Sequence, residues 1–321
     1  MDTIGCMNPV LLLAFRRWRN IDQILDSCRI AGVNRIYVHV DAGKTPQETD
    51  DVDKTLEKLI AFRNRWGLDI QIANQKENIG CAIAMISSIN EIFQFEDSII
   101  VLEDDCIPTT DFFGFMDESF REMKRNSEIA LACGAQFAPG EITHGRWALS
   151  RYPLNWGWGI TKSQWVRISS KMVSREKLEY KLNSHISRSE TTYWNAGCRR
   201  AMEGYADVWD TLLVREMLRL GSYSILPSDN LVLNVGNDAS ALHTHKEESR
   251  INFPTGRFHP DNSIPQINLE LDSWIQRRIF GISRRHLLST KITKIRDLFF
   301  LRPKFKPLLE RIQTSSVNFD L

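Results

Sequence analysis

The chain has 321 residues, of which 42% are hydrophobic and 25% are charged, and its formal net charge is +1. This is the composition of an ordinary globular protein, and the near-zero net charge excludes a dedicated nucleic-acid-binding protein. Six scattered cysteines without a C-x-x-C pair exclude a zinc ribbon or a disulfide scaffold and favour the cytoplasm. The apolar run 9–15 is too short to cross a bilayer, and the arginines after it are on the wrong side for a signal peptide.

Strand and helix patterns alternate over the first hundred residues. Buried-looking apolar runs predict the strands, and amphipathic stretches predict the helices between them. The predicted order is strand 10–15, helix 21–31, strand 35–40, helix 50–66, strand 68–73, helix 81–95 and strand 99–102. This alternation predicts an α/β fold with a mostly parallel, Rossmann-like sheet sandwiched by helices. In such a sheet ligands bind beyond the carboxyl ends of the strands.

The second half of the chain is less regular. A helix over 112–125 and a strand over 129–133 are followed by a loop-rich, aromatic stretch that reaches about residue 200. The remaining predictions are helix 211–220, strands 222–226 and 231–234, and a long loop over 236–266. We divide the chain into two halves of one domain, 1–133 and 134–272, and a tail, 273–321.

The tail is basic. Between Arg277 and Arg311 it has eleven Lys and Arg residues against two acidic ones, with apolar residues interleaved. A basic amphipathic helix of this kind either binds an anionic membrane surface, here the inner face of the cell membrane, or packs on the domain or on a partner subunit.

Three consecutive carboxylates, Glu103, Asp104 and Asp105, follow the fourth predicted strand directly. Adjacent anions repel one another, so a fold that places them at the end of a strand normally supplies a cation. Carboxylate oxygens suit Mn²⁺ or Mg²⁺, and both ions share their coordination shell readily with phosphate oxygens. The alternative is a solvated acidic turn, which the buried strand leading into the cluster disfavours.

An ordered set of segments resembles a known family. The segments are PVLLLAFRR at 9–17, NIGC at 78–81, IIVLEDDCIP at 99–108, NWGWG at 155–159, VWD at 208–210, PSDNLVLNVG at 227–236 and HT at 243–244. The set resembles the GT-A-type nucleotide-diphospho-sugar transferases, in detail the bacterial glycosyltransferases related to the N-acetylglucosaminyltransferase I group. The tail lies outside the match.

The resemblance implies a GT-A fold and a metal-dependent hexosyl- or N-acetylhexosaminyltransferase, whose substrates would be a nucleotide-sugar donor and a glycan or lipid-linked acceptor. It favours a UDP-sugar, an inverting reaction and a place in bacterial surface polysaccharide synthesis. Residues 1–133 would bind the donor, and residues 134–272 would carry the acceptor and catalytic half.

The resemblance also implies individual roles on the donor side. Asp105 would bind the Mn²⁺ or Mg²⁺ ion that bridges the two phosphates of the donor. Glu103 and Asp104 would contact the ribose or the donor sugar, or would hold the water ligands of the metal. The alternative for each of these two residues is a supporting hydrogen bond within the site. The other implied donor contacts are Arg16 or Arg17, Asp41 and Asn78. Each of these has a plainer alternative, since one arginine is expected to be surface charge and Asp41 suits a simple turn after its strand.

On the acceptor side, the resemblance implies that Asp210 is the base that deprotonates the acceptor hydroxyl. Because Asp210 directly precedes a predicted helix, it is also a candidate helix N-cap, and the two roles can coexist. We expect its apolar surroundings to raise its basicity. Related eukaryotic enzymes have a second acid where this chain has Thr211, so Asp207 is kept as a fallback base.

Two further groups complete the predicted site. His243, in an H-x-H pair with His245, would complete the metal shell or is a surface histidine. Trp156, Trp158 and Trp209 would offer aromatic faces on which a pyranose stacks, and the alternative for at least one of them is the hydrophobic core.

Two other functions compete with glycosyl transfer. A nucleotidyltransferase also uses an α/β sheet with acidic metal ligands, but normally with a glycine-rich loop after the first strand, where this chain has FRRWR at 15–19. A non-catalytic, membrane-associated carbohydrate-binding subunit is the other alternative, which the retention of the acidic triplet and Asp210 disfavours.

Overall fold

The structure is a computed structural model that describes residues 8–145, 147–172, 182, 185–236, 253–258, 263–282 and 303–319. His243, His245 and residues 283–302 of the tail therefore lie outside the described residues. Among the described helices, none is both long enough and apolar enough to cross a membrane.

The first half of the fold is a parallel sheet with crossover helices, as predicted. The elements are β1 (Val10–Ala14), α1 (Trp18–Ile30), β2 (Arg35–Val40), α2 (Pro46–Trp66), β3 (Asp69–Asn74), α3 (Cys81–Ile92) and β4 (Ser98–Glu103). The strands pair in the order β3-β2-β1-β4, and all three pairings are parallel. The carboxyl ends of these four strands therefore open on one edge, where parallel sheets bind their ligands.

The second half extends the same sheet. Its elements are β5 (Cys106–Pro108), α4 (Thr110–Arg125), β6 (Ile129–Cys133), α5 (Gly140–Thr143), β7 (Ala148–Ser150), β8 (Trp158–Thr161), α6 (Lys162–Met172), α7 (Arg188–Met202), α8 (Asp210–Leu220), β9 (Tyr223–Leu226), β10 (Val232–Asn234), β11 (Gln266–Ile267), α9 (Leu269–Arg278) and α10 (Leu308–Thr314). Strand β8 inserts antiparallel between β4 and β6, and the order continues β6-β9-β7-β11. Strands β5 and β10 form a separate antiparallel pair beside the acidic triplet.

The sheet separates two hydrophobic cores. Alternate residues of β1 belong to different cores, with Leu11 and Leu13 on one face and Val10, Leu12 and Ala14 on the other. Helices α1, α2 and α4 cover the second face, and α3 together with α6 to α10 covers the first. The predicted fold class, an α/β sheet flanked by helices on both faces, is thus confirmed.

The described part of the predicted tail belongs to this domain. Ile275 of α9 is fully buried, and Ile282, together with Leu308 of α10, is buried in the same core. Of the two alternatives drawn from the sequence, packing on the domain is the one observed for residues 273–282 and 303–319.

Candidate active site

Four carboxylates line one cavity at the carboxyl edge of the sheet, and they are Glu103, Asp105, Asp207 and Asp210. Glu103 and Asp105 approach it from the end of β4, and Asp210 approaches it from the first turn of α8. The cavity has a volume of about 360 Å³, and its remaining wall is largely aromatic and apolar. The structure therefore brings together two members of the predicted triplet and the predicted base.

The middle carboxylate of the triplet turns away to the loop between β1 and α1. Asp104 is buried, and its Oδ2 accepts the backbone N–H groups of Phe15 at 2.9 Å and Arg17 at 3.4 Å. Its backbone carbonyl accepts the side-chain amide of Asn20 at 2.9 Å. Asp104 thus holds this loop against β4, and of its predicted roles the supporting one is observed.

The cation opposite the triplet is Arg17. Its Nη1 lies 2.9 Å from Oδ1 of Asp104 and 3.2 Å from Oδ2 of Asp105. Arg16 instead forms an ion pair at 3.1 Å with Glu48 in the first turn of α2. Of the two arginines that the sequence offers as donor contacts, the structure brings Arg17, and not Arg16, to the acidic residues.

One arginine does not neutralise this group of acids. Loss of hydration raises the pKa of Glu103 to about 8, and the charges of Asp105, Asp104 and Asp210 add to the shift while Arg17 opposes it. Loss of hydration also raises the pKa of Asp105, again against the effect of Arg17. Glu103 is therefore largely protonated near neutral pH, and a divalent cation bound at the cavity would replace that proton and favour the charged carboxylates.

The donor set fits a metal that arrives with its ligand better than a metal held by the protein alone. Within the described residues there is no ready-made cluster of three His, Cys, Asp or Glu ligands. Mg²⁺ commonly binds through one or two carboxylates together with substrate phosphates and water. Glu103 and Asp105 meet that description, and Asp105 is oriented further by Asn234, whose amide Nδ2 lies 3.4 Å from its Oδ1.

Asp210 is the first residue of helix α8, whose N-cap is Trp209, so the predicted N-cap role is not observed and the base role stays a prediction. Its Oδ1 accepts the backbone N–H of Thr211 at 2.7 Å, so the carboxylate is fixed at the positive end of helix α8. The residue is exposed, which differs from the expected apolar environment. The helix begins at the open mouth of the cavity, so Trp209 is buried beside Asp210 without covering its carboxylate.

Asp207 is committed to other contacts and is a poor fallback base. Its Oδ2 accepts the backbone N–H of Cys81 at 2.9 Å, and its Oδ1 lies 3.4 Å from the N–H of Ala82. Oδ1 also pairs at 3.1 Å with Arg311 of α10. Asp207 therefore caps helix α3 from a distant part of the chain.

Asp41 and Asn78 organise the loops at the ends of β2 and β3. The buried Asp41 carboxylate accepts the N–H groups of Ala42 at 3.0 Å and of Ile79 and Gly80 at 2.9 Å each. The Asn78 amide donates to the carbonyl of Ala42 at 2.7 Å. Burial raises the pKa of Asp41, and the hydrogen bonds that its carboxylate accepts from the three backbone N–H groups oppose this increase. The turn alternative for Asp41 is therefore the one observed.

The predicted aromatic platform divides into core and cavity residues. Trp158 is buried and stacks on Trp209, with ring centroids 5.2 Å apart. Trp156 is partly exposed, lines the cavity, and packs edge-on against Phe137 at 4.6 Å. Trp156 and Trp209 thus border the cavity, whereas Trp158 belongs to the core.

Several residues of the site were missed from the sequence. They are Phe137, Asn155, Trp194, Ile279 and Phe280, which all line the cavity. Only Asn155 lies within a segment quoted for the family resemblance. The others come from loops and helices of the irregular second half, where no periodic pattern indicated their position.

Comparison with known proteins gives no family for the chain. No protein-family model matches the chain, and no curated protein sequence matches it. A Bacillus anthracis structure assigned as a glucose-1-phosphate thymidylyltransferase, in complex with sucrose, is 11% identical; the match covers 60% of this chain and 83% of that one, with a TM-score of 0.34.

Two further solved structures are similar to the same degree. An inositol-1-phosphate CTP transferase from T. maritima is 12% identical over 70% of this chain and 86% of its own, with a TM-score of 0.34. A UDP-glucose pyrophosphorylase complexed with UDP-glucose is 8% identical over 69% of this chain and 90% of its own, with a TM-score of 0.36. At TM-scores this low we draw no functional conclusion from them. The resemblance to the N-acetylglucosaminyltransferase I group is not confirmed by these comparisons.

Proposed function

We propose that the protein is a transferase that binds a nucleotide sugar with Mn²⁺ or Mg²⁺ in this cavity, and that it transfers the sugar to a glycan or lipid-linked acceptor. The observation that supports this most is the convergence of Glu103, Asp105 and Asp210 on one cavity with an aromatic wall. A UDP-sugar is the favoured donor, and the surface-polysaccharide setting follows from the family resemblance alone.

The residues divide between binding the donor and activating the acceptor. Asp105 and Glu103 would hold the divalent ion, which when bound supplies charge neutralisation for a departing diphosphate. Arg17 keeps Asp105 oriented and adds a positive charge at the phosphate side. Asp210 accepts the proton of the acceptor hydroxyl, and its carboxylate is fixed for that task by the Thr211 amide.

Nucleotidyl transfer is the second candidate, because it also uses an α/β sheet with acidic metal ligands, and Glu103 and Asp105 are carboxylates placed in that way. One local observation disfavours it. The loop after β1 contains no glycine, and the N–H groups of Phe15 and Arg17 bind Asp104. A loop whose amides are directed to a protein carboxylate is less suited to receive the phosphates of a nucleoside triphosphate.

Product analysis separates the candidates. The protein is incubated with Mn²⁺ and UDP-, GDP-, CMP- or dTDP-sugars, and separately with nucleoside triphosphates and sugar 1-phosphates. Glycosyl transfer predicts slow release of nucleoside diphosphate, or of CMP from a CMP-sugar, in the first set and no pyrophosphate in the second. Pyrophosphate and nucleotide sugar in the second set would instead establish nucleotidyl transfer. A protein that binds donor but yields neither product would be a binding subunit.

A further inference from the structure

The C-terminal segment 303–319 is fastened to both sides of the site. On the side of the parallel sheet, Val317 and Phe319 are buried, and the ring of Phe319 packs edge-on against Tyr37 of β2 at 5.2 Å. Leu308 is buried in the core that α3, α7 and α8 share. The segment therefore touches elements from both halves of the domain.

Backbone hydrogen bonds fasten the start of this segment to the loop before α8. The N–H groups of Lys304 and Phe305 both donate to the carbonyl of Gly204, at 2.9 Å and 3.1 Å. Gly204 has a φ of +79°, and a Cβ there would lie 2.1 Å from the carbonyl oxygen of Phe305. This close approach requires glycine, which makes the contact between segment and loop a built feature of the chain.

Arg311 makes the contact nearest to the cavity. Its Nη1 pairs with Oδ1 of Asp207 at 3.1 Å, and its Nη2 donates to the carbonyl of Ile79 at 2.6 Å. Both Arg311 and Asp207 keep only 12% of their side-chain surface exposed. A Cβ at Gly80, which has a φ of +79°, would lie 2.3 Å from Asp207 and 2.6 Å from Arg311. One guanidinium thus joins the loop after β3 to the loop before α8.

The second of these loops carries the proposed base. Asp207 stands three residues before Asp210, and both line the cavity with Cys81 at the start of α3. Because Asp207 also accepts the N–H of Cys81, the Arg311 ion pair, the start of α3 and the loop 207–210 form one connected unit.

We infer that Arg311 is a positioning residue, and that the C-terminal segment holds the loop 207–210, and with it Asp210, at the cavity. Only the expected effect of Arg311 on turnover rests on the proposed function. Arg311 does not line the cavity of the carboxylates, and its guanidinium binds Asp207 and Ile79. Small displacements of a catalytic group cost large factors in rate, so a loosened loop should lower turnover more than it weakens donor binding.

The test compares Arg311→Gln and Arg311→Lys with the matched control Lys304→Ala. Lys304 is an exposed basic residue of the same segment, and its contact to Gly204 uses its backbone and survives the substitution.

Cys81 lines the cavity, where loss of hydration and the charges of Glu103 and Asp207 raise the pKa of its thiol well above the ordinary value. Its alkylation is therefore slow while the loop is held in place, and the alkylation rate reports on the loop independently of activity. Cys6, outside the described residues, is replaced by Ser in every variant.

We expect Arg311→Gln to raise the alkylation rate of Cys81 severalfold and to lower kcat by roughly ten- to a hundredfold, with a much smaller change in KM for the donor. Arg311→Lys keeps a positive charge beside Asp207 but cannot also bind the carbonyl of Ile79. Its Cys81 alkylation rate and its kcat should therefore lie between those of the parent and those of Arg311→Gln. Lys304→Ala should match the parent in both measurements.

Two results would overturn the inference. One is a folded Arg311→Gln protein whose Cys81 alkylation and kcat equal those of Lys304→Ala, even if its melting temperature falls, because Arg311 would then only add stability. The second result matters if Arg311→Gln does not fold. In that case an Arg311→Lys protein with the same Cys81 alkylation rate and the same kcat as the parent would overturn the inference. If the parent turns over no nucleotide sugar at all, the proposed function fails, and the alkylation rates alone still decide whether Arg311 holds the loop.

Discussion

Adjacent residues of the acidic triplet have opposite structural roles. Asp104 points to the loop after β1 and receives N–H groups there, whereas Asp105 points to the cavity and is poorly hydrated. Their order in the sequence does not reveal this division, because it depends on where the β1 loop lies in the folded protein.

Asp104→Asn and Asp105→Asn should therefore change the protein in opposite ways. Asp104→Asn weakens charge-assisted hydrogen bonds and should lower the free energy of unfolding by about 1.5–3 kcal/mol. Asp105→Asn removes a carboxylate whose pKa is raised by burial, so the stability of the metal-free protein should stay the same or increase. Urea denaturation measures both effects. Equal losses in the two variants would refute the assigned division.

Asp210→Asn tests the proposed base directly. The variant keeps the size of the side chain and an oxygen that can accept the Thr211 N–H, but it cannot take a proton. Turnover should fall roughly a hundredfold or more while donor binding stays unchanged. Asp53→Asn, which removes an exposed carboxylate of helix α2, is the control. A rate close to that of the control would remove Asp210 from the mechanism.

His39 should make stability depend on pH. It is buried on β2 with its Nδ1 3.2 Å from the Ser88 hydroxyl, and burial lowers its pKa to about 4. Between that pH and the ordinary value of 6.5 the unfolded chain binds the proton more strongly, so the free energy of unfolding must fall as the pH falls.

The expected loss between pH 7 and pH 4 is roughly 3 kcal/mol from this residue. Asp41 has a raised pKa, so its protonation increases the free energy of unfolding as the pH falls. This contribution is the same in the parent and in the variant. The free energy of unfolding of His39→Gln, measured by denaturation at each pH, should therefore decrease less between pH 7 and pH 4 than that of the parent. Parallel pH profiles would show that His39 does not titrate differently on folding.

At the scale of elements, the sequence located strands and helices wherever the pattern was local. The prediction for β2 and β6 matches the structure residue for residue, and that for β4 differs by one residue at each end. Strand β6 and the centre of β4 are uninterrupted apolar runs, and β2 is apolar apart from Arg35 and His39, so the limits of these strands are visible in the sequence.

The elements that were missed depend on distant partners. Strand β8 is four residues with a central glycine, and it becomes a strand because β4 and β6 pair with it on both sides. Helix α7 was assigned to a loop-rich stretch, although Ser187 and Glu190 form a capping box at its start. That signal was present in the sequence and could have located the helix.

The C-terminal segment offers a test at this scale. Removing residues 303–321 takes away Leu308, Val317 and Phe319, each buried, so we expect a loss on the order of 5 kcal/mol in the free energy of unfolding. The matched control replaces Lys304 and Lys306 with Ala, which removes charge but no buried surface, and should leave stability nearly unchanged. A truncated protein as stable as the full chain would mean that the segment is a detachable tail after all.

In the molecule as a whole, the alternation of strands and helices was sufficient to predict the sheet and the edge that carries the candidate site. It was not sufficient to choose among the polar residues on that edge. Asp41, Asp104 and Asp207 look as suitable as Asp105 or Asp210 in the sequence, yet their oxygens accept backbone N–H groups from other loops. Those partners are 38 or more residues away along the chain, which is why a local pattern does not identify them.

The carboxylates at the end of β4 are proposed to bind a nucleotide sugar through a divalent ion. Thermal unfolding with UDP-, GDP-, CMP- and dTDP-sugars, each with and without Mn²⁺, measures this most directly, because a ligand of the folded state at a hundredfold its Kd stabilises by about 2.7 kcal/mol. We predict that a UDP-sugar raises the melting temperature only with Mn²⁺, and that Asp105→Asn abolishes the increase. No stabilisation by any nucleotide sugar, or an equal increase in Asp105→Asn, would contradict the claim.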